Sequence, residues 1–140
     1  MGEKMGVFLD TSFLVALVNV DDENHRRAQS VKARLTSKDL GQPYISDYIF
    51  DELMTFLMTR HVKPEKIEEF GNSLLEDESV KLLKVDSAIF FESWDLFNKS
   101  TGLSFTDCSS IVLAKEFGVK SIASYDSGFD KLPLLKRIVS

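Results

Sequence analysis

The chain has 140 residues, of which 44% are hydrophobic and 28% charged, so it is long enough to form one globular domain around a buried core. Its formal net charge of −5 argues against a protein that binds nucleic acid through bulk positive charge. The longest apolar segments have the length of a strand or a helix, so no membrane span is predicted. The lone Cys108 rules out an internal disulfide and suits the reducing cytoplasm.

Short apolar segments alternate with segments of helical character along the whole chain. Strands are predicted at 6–9, 43–46, 79–85, 119–124 and 134–139. Helices are predicted at 12–19, from 21 to the break at 41–44, from 46–47 to about 61, from Pro64 to about 76, at 86–100, and from 102–107 to near Gly118. Strands separated by helices form parallel units with right-handed crossovers. The sequence therefore predicts an α/β fold, a single-domain three-layer α/β/α sandwich over residues 1–140 with a mainly parallel central sheet.

One acid interrupts the apolar segment VFLDTSFLVAL at residues 7–17. Asp10 ends the first predicted strand, and no Lys or Arg occurs in the ten residues after it. An ionised carboxylate at the edge of a core is costly unless a positive group compensates it. Two interpretations remain open: Asp10 caps the following helix, or it binds a cation.

A second acid is predicted to face the core from a helix. In SDYIFDELMTFLMTR, Glu52 shares a helix side with Ile49 and Phe56, whereas Asp51 groups with the solvent side. Glu52 is therefore either a boundary residue that reaches water or a side chain directed into a site.

Two further segments place acids at structural transitions. Asp107 lies three residues after Ser104 in LSFTDCSSIVLA, a spacing that resembles a capping box, and it also shares a face with Ile111. Asp126 follows an apolar strand and opens a loop that contains Asp130, where Asx-turn chemistry is the alternative for both acids.

Taken together, the four acids indicate a metal site. In open parallel sheets, ligands bind beyond the carboxyl ends of the strands, where all four positions can converge. Gathered carboxylates repel one another, and Mg²⁺ or Mn²⁺ with oxygen ligands would relieve that repulsion. Nearby hydroxyls that could hold a carboxylate or a metal-bound water in place are those of Thr11, Ser12, Thr106 and Ser124.

Four segments in order, FLDTSFLVAL, SDYIFDEL, LSFTDCSSIVLAKEFGV and IASYDSGFDKL, resemble the PIN-domain family, most closely its VapC-type toxins. The resemblance implies Mg²⁺- or Mn²⁺-dependent RNA cleavage, a homodimer, and an antitoxin that blocks the site. By motif, Asp10, Glu52 and Asp107 match the three core acids. Asp126 matches a fourth, more variable acid, and Asp130 is an auxiliary candidate.

Together with the clustered acids, the resemblance implies a metal-dependent endoribonuclease, the toxin of a toxin–antitoxin pair, that acts in the cytoplasm through metal-activated water. The alternative is a catalytically inactive PIN-like module that binds RNA or a protein. A receiver-type phospho-acceptor domain would have paired acids after its first strand, whereas Asp10 is followed by Thr-Ser. Candidate RNA contacts, for which ordinary solvated charge is the alternative, are Arg26, Arg27, Arg60 and Lys63.

Overall fold

A computed structural model describes residues 6–100 and 102–140 of the chain, so residues 1–5 and 101 of the predicted domain lie outside the described residues. Its strands are β1 (Val7–Leu9), β2 (Pro43–Ser46), β3 (Lys81–Leu83), β4 (Ser121–Ala123) and β5 (Lys136–Ile138). Its helices are α1 (Thr11–Val18), α2 (His25–Thr36), α3 (Asp47–Thr59), α4 (Pro64–Glu76), α5 (Ser87–Lys99) and α6 (Phe105–Glu116). A short 3₁₀ helix spans Ser127–Lys131.

The five strands form one parallel sheet in the order β3-β2-β1-β4-β5. Leu9 of β1 lies opposite Ala123 of β4, and the Asp10 N–H donates to the Ala123 carbonyl at 3.0 Å. The strand order reverses direction at β1, so right-handed crossovers place helices on both faces of the sheet. The predicted α/β architecture is confirmed, and the point of reversal between β1 and β4 is where such sheets bind ligands.

The central strand β1 is buried along its whole length and anchors the core. Phe8 from β1, Phe13 from α1, Ile122 from β4 and Phe129 from the 3₁₀ helix are among the largest fully buried side chains. Burial of large apolar side chains is the main favourable term in folding. The carboxyl ends of β1 and β4 therefore sit on a rigid support. Within the described part of the chain, no helix has the length and apolar character needed to cross a membrane.

The second helix begins later than predicted, at His25 and not at residue 21. The Asp22 carboxylate accepts the Asn24 N–H at 2.8 Å, and the Asn19 side chain accepts the Asp21 N–H at 3.1 Å. Because these Asx-type hydrogen bonds satisfy the backbone without a helix, the acids form a turn before α2 and do not lie in its first turn.

The strand predicted at 79–85 and the loop after β4 also differ from expectation. Only Lys81–Leu83 forms β3, because the Asp77 carboxylate accepts the Ser79 N–H and holds a turn just before it. The loop after β4 contains the 3₁₀ helix, which is capped by the Asp126 carboxylate through the Gly128 N–H.

Candidate metal centre

Asp10 stands at the carboxyl end of β1 with only 2% of its surface exposed. It occupies the N-cap position of α1, yet its side chain accepts no capping hydrogen bond. Instead, Oδ2 accepts hydrogen bonds from the Ser124 hydroxyl at 2.7 Å and from the Ser12 hydroxyl at 3.0 Å. The other oxygen, Oδ1, is buried without a hydrogen-bond partner among the described residues. A buried carboxylate oxygen without a donor is costly unless a cation or a proton fills that role.

The two serine hydroxyls are themselves oriented by the loop that follows β4. The Tyr125 N–H donates to Ser12 Oγ at 2.9 Å, and the Asp126 N–H donates to Ser124 Oγ at 3.0 Å. Because each hydroxyl accepts a backbone hydrogen bond, its own proton is free to point at Asp10. This arrangement fixes the orientation of the Asp10 carboxylate.

The electrostatic state of Asp10 reflects its burial. The pKa of Asp10 is raised from 3.8 to about 7, mainly by burial and to a smaller extent by the negative charge of Asp107, and this net shift includes the opposing effect of the hydrogen bonds from Ser124 and Ser12. The Asp10 carboxyl therefore takes up a proton more readily than a solvent-exposed aspartate does. The effect of Asp107 on this pKa means that the carboxylate after β1 and the one in α6 lie close enough to repel each other.

Asp107 lies in the first turn of α6, where it performs the capping role that its spacing from Ser104 indicated. Its N–H donates to Ser104 Oγ at 3.0 Å, and its Oδ2 accepts the Ser104 N–H at 3.1 Å, which completes a capping box. Burial raises the pKa of Asp107, and the charges of Asp126 and Glu52 raise it as well. Asp107 therefore both caps α6 and lies within electrostatic reach of the other acids.

Glu52 and Asp126 complete the set from opposite sides of β1. Glu52 lies on α3, which begins directly after β2, and is half-buried, whereas its neighbour Asp51 is exposed as predicted. Asp126 is exposed, and one of its oxygens accepts the Gly128 N–H. The predicted Asx-turn role of Asp126 is thus present alongside its coupling to Asp107.

These observations provide a test of whether the four acids suit a divalent ion. In favour are Asp10 Oδ1, which is buried without a hydrogen-bond partner among the described residues, and the repulsion between the acids, which adds to the effect of burial in raising the pKa values of Asp10 and Asp107. Within residues 6–100 and 102–140, however, no group of three or more His, Cys, Asp or Glu side chains is arranged so that it could hold a metal ion. The carboxylate oxygens of the four acids are the donor type that a hard cation prefers. Their present arrangement does not form a site, so ion binding would require the less buried Glu52 and Asp126 side chains to turn toward Asp10.

The accessory hydroxyls divide into two groups. Ser12 and Ser124 both hydrogen bond to Asp10, and their oxygens lie 3.3 Å apart. The Thr11 hydroxyl is buried without a partner in the described chain, and no hydrogen bond joins the Thr106 side chain to a described carboxylate. The structure thus brings only the two serines to the site in their present rotamers.

Asp130, the auxiliary candidate, pairs with a residue that sequence reasoning missed. Arg137 on β5 donates to both Asp130 oxygens, at 2.9 and 3.0 Å, and to the Ser124 carbonyl at 3.3 Å. Through Arg137, Asp130 is therefore linked to the Ser124 backbone at the end of β4. No local sequence signal marks this pairing, because it depends on how the loop folds back onto an edge strand.

The four predicted RNA contacts lie in different surroundings. Arg27 in α2 stacks over the Tyr125 ring beside the site, whereas no contact of the exposed Arg26 with that ring is seen. Arg60 stacks over the Phe56 ring at the end of α3, eight residues and about 12 Å along the helix from Glu52. Lys63 follows it at the start of α4.

Comparison with known proteins places this geometry in a family. The model of the PIN domain matches residues 7–135. The fold is similar to that of VapC20 from Mycobacterium tuberculosis, a sarcin–ricin loop cleaving toxin, with 22% identity, coverage of 89% of this chain and 93% of that chain, and a TM-score of 0.77. It is also similar to VapBC2 from Rickettsia felis, solved with a DNA fragment from its promoter, with 14% identity, coverage of 96% and 98%, and a TM-score of 0.68.

A shorter sequence match is to a Methanocaldococcus jannaschii protein that carries the name antitoxin RelB4. It is 29% identical over 72 residues, which cover 51% of this chain and 83% of that protein. The family match includes all four acids: Asp10 directly after β1, Glu52 in α3, Asp107 in α6 and Asp126 in the loop after β4. The predicted family and its VapC-like fold are confirmed, and the chain belongs to the PIN domain family.

Proposed function

We propose that this protein is a Mg²⁺- or Mn²⁺-dependent endoribonuclease and the toxin of a toxin–antitoxin pair. The observation that carries the proposal is the buried Asp10 carboxylate at the reversal point of the sheet, which interacts electrostatically with Asp107 and has one oxygen without a partner among the residues that the structure describes. Family membership supports a nuclease, and the likeness of the fold to a sarcin–ricin loop cleaving toxin supports RNA as the substrate class.

Asp10, Glu52, Asp107 and Asp126 would hold the ion. When bound, a divalent cation lowers the pKa of water and offsets negative charge that develops on a phosphoryl group. The protein's own contribution is to hold the carboxylates in place. Ser12 and Ser124 fix the orientation of Asp10.

The capping box fixes Asp107 at the start of α6, so two of the four acids are held before any ligand arrives. Such preorganisation avoids a reorganisation cost at the moment of reaction. The reaction is a hydrolysis: the water oxygen forms a bond to phosphorus, and the bond to the 3′ oxygen breaks. The products are a 5′-phosphate and a 3′-hydroxyl, and no histidine or cysteine nucleophile is required.

Cleavage of a total RNA pool in Mn²⁺, with sequencing of the new ends, tests the activity. Wild-type protein should generate 5′-phosphate ends, and Asp10→Asn and Asp107→Asn should reduce cleavage by at least about a hundredfold, because each removes a carboxylate ligand. Asp51→Asn is the matched control, since it makes the same chemical change at an exposed acid adjacent to Glu52. An absence of cleavage by the folded wild-type protein would favour the non-catalytic RNA- or protein-binding module.

We also propose that an antitoxin segment binds a groove between α1, α2 and α4. The groove has a volume of about 810 Å³, and its apolar lining includes Phe13, Leu17, Leu35, Phe70 and Leu74. None of the four acids lines it, so blocking of the carboxylate site would require a further part of the antitoxin beyond the segment that binds this groove. An amphipathic helix is the partner shape that such a groove accommodates, and several matched structures are toxin–antitoxin complexes.

A homodimer and a cytoplasmic location belong to the same proposal. Supporting the homodimer, α5 exposes large aromatic side chains, with Phe91 64% and Trp94 49% exposed. Contiguous exposed aromatic surface marks interaction sites in many proteins. Light scattering should give twice the monomer mass, and Trp94→Glu should give the monomer mass. A monomeric wild-type protein would contradict the dimer.

The cytoplasm is where a toxin meets cellular RNA, and the reduced Cys108 thiol suits that compartment.

A further inference from the structure

Arg27 is held in place at the start of α2 by two uncharged groups. Its Nη2 donates to the Asn24 side-chain oxygen, and its guanidinium carbon lies 5.1 Å from the centre of the Tyr125 ring. The Asn24 backbone is fixed in turn by its N–H donation to the Asp22 carboxylate. Arg27 is nevertheless an exposed residue, and among the described residues its guanidinium makes no hydrogen bond other than the one to Asn24.

The Tyr125 contact connects Arg27 to the carboxylate site. Tyr125 lies between Ser124, which donates to Asp10, and Asp126. Its N–H donates to Ser12 Oγ, which also donates to Asp10 at 3.0 Å. Arg27 therefore stacks on a residue whose backbone is part of the network that orients Asp10.

The charge of Arg27 is not neutralised by an ion pair. Within the described ranges 6–100 and 102–140, ion pairs join Arg34 to Asp39, Lys115 to Glu92, and Arg137 to Asp130, and none includes Arg27. Arg137 is also near the site, since it donates to the Ser124 carbonyl, but both of its strongest contacts are to Asp130 oxygens. Arg27 is thus a positioned cation that keeps its charge and most of its donors for a ligand.

We propose that Arg27 is a substrate-positioning residue that binds a backbone phosphate of RNA adjacent to the scissile one. This inference rests on the proposed function. An acidic site repels a polyanion, and a cation beside it offsets that repulsion for the phosphate that lies next to the reacting group. A guanidinium binds phosphate through paired N–H donors, and its prior ordering by Asn24 and Tyr125 reduces the entropy lost on binding.

Binding of a fluorescently labelled single-stranded RNA, measured in EDTA over a range of salt concentrations, tests the inference without metal or cleavage. Arg27→Ala should raise Kd about fivefold to tenfold, the effect of losing a charge-assisted hydrogen bond at an exposed position. It should reduce the salt slope of log K by about 0.7, as expected for one lost phosphate contact to a single strand. Arg27→Lys should restore part of the affinity.

Two comparison variants separate a specific contact from bulk charge. Lys120→Ala removes a charge just before β4, at the amino edge of the sheet opposite the site, and should leave Kd unchanged. Arg26→Ala removes an equal charge one position away, from a residue for which no contact with the Tyr125 ring is seen, and should raise Kd less than Arg27→Ala does. In Mn²⁺ cleavage assays, Arg27→Ala should raise KM by the same factor as Kd and leave kcat within twofold.

The outcomes distinguish the inference from the proposed function. If wild-type protein cleaves RNA and Arg27→Ala behaves like Lys120→Ala, the inference alone is wrong. An equal loss for Arg26→Ala and Arg27→Ala would also overturn it, because only one of them stacks on Tyr125. If folded wild-type protein neither binds nor cleaves RNA, the proposed function fails, and the inference fails with it.

Discussion

Replacing Asp10 by asparagine should stabilise the metal-free protein at neutral and alkaline pH. Burial raises the pKa of Asp10 from 3.8 to about 7, so the folded protein binds this proton more tightly than the unfolded chain does. The contribution of this group to stability is therefore most favourable below pH 4 and is lost as the pH rises toward 7. At about 1.4 kcal/mol per pKa unit, the ionised carboxylate lowers the free energy of unfolding by about 4 kcal/mol above pH 7.

Urea unfolding in EDTA at pH 5 and pH 8 measures this effect. Asparagine keeps an acceptor for the Ser12 and Ser124 hydroxyls but does not ionise, so Asp10→Asn should gain about 1–4 kcal/mol at pH 8 and less than half of that gain at pH 5. Asp51→Asn, the same change at an exposed position, should stay within about 0.5 kcal/mol of wild type at both pH values. A loss of stability for Asp10→Asn at pH 8, or a gain that does not depend on pH, would contradict a raised pKa of Asp10 in the folded protein.

Three further predictions concern the ion, the cap of α6 and the packing of α4. Millimolar Mn²⁺ should raise the melting temperature of the wild-type protein through binding to the native state, and this rise should be reduced in Asp10→Asn; an unchanged wild-type melting temperature contradicts the metal site. Ser104→Ala removes the hydroxyl that accepts the Asp107 N–H and should cost about 1 kcal/mol in denaturant unfolding, so a neutral result would show that the cap contributes nothing. Gly71→Ala should stabilise α4 by up to about 1 kcal/mol, because a Cβ there would meet only ordinary contacts 3.6–3.8 Å away; a loss of stability would indicate crowding between α3 and α4.

The number of strands and their parallel direction could be predicted from the sequence because the relevant signals are local, whereas their order in the sheet was seen only in the structure. Each apolar segment of strand length is followed by a segment of helical period, and crossover handedness then permits few topologies. The start of α2 could not be predicted in this way. The acids at 21–22 are typical of a helix beginning, but the hydrogen bonds of Asp22 and Asn19 stabilise a turn instead.

The electrostatic coupling of Asp107 to the other three acids agrees with the predicted proximity of these acids, whereas their individual hydrogen-bond contacts were less predictable. Asp10 and Asp126 follow β1 and β4, which are neighbours in the sheet. Because the carboxyl ends of parallel strands lie at the same edge of the sheet, the two acids are expected near each other. Whether Ser12 or Thr11 contacts Asp10 depends on side-chain rotamers, which the sequence does not encode locally. The Arg137 pairing with Asp130 depends likewise on the path of a loop.

Capping a helix and lying within electrostatic reach of other acids are compatible for one carboxylate. Asp107 completes a capping box through Oδ2, and its pKa is still raised by Asp126 and Glu52. Asp126 caps the 3₁₀ helix through the Gly128 N–H and shares the same environment. The alternatives posed by the sequence therefore do not exclude one another, because a carboxylate has two oxygens and each can accept more than one partner.

The central claim is that acids from four separate segments share one divalent ion. A crystal structure of the wild-type protein grown with Mn²⁺, with anomalous data collected at the manganese absorption edge, tests it most directly. We expect an anomalous peak within coordination distance of Asp10 Oδ1 and of an Asp107 oxygen, with Glu52 and Asp126 turned toward it. A fully ordered site without a peak, or manganese bound only elsewhere on the surface, would show that these acids do not share an ion.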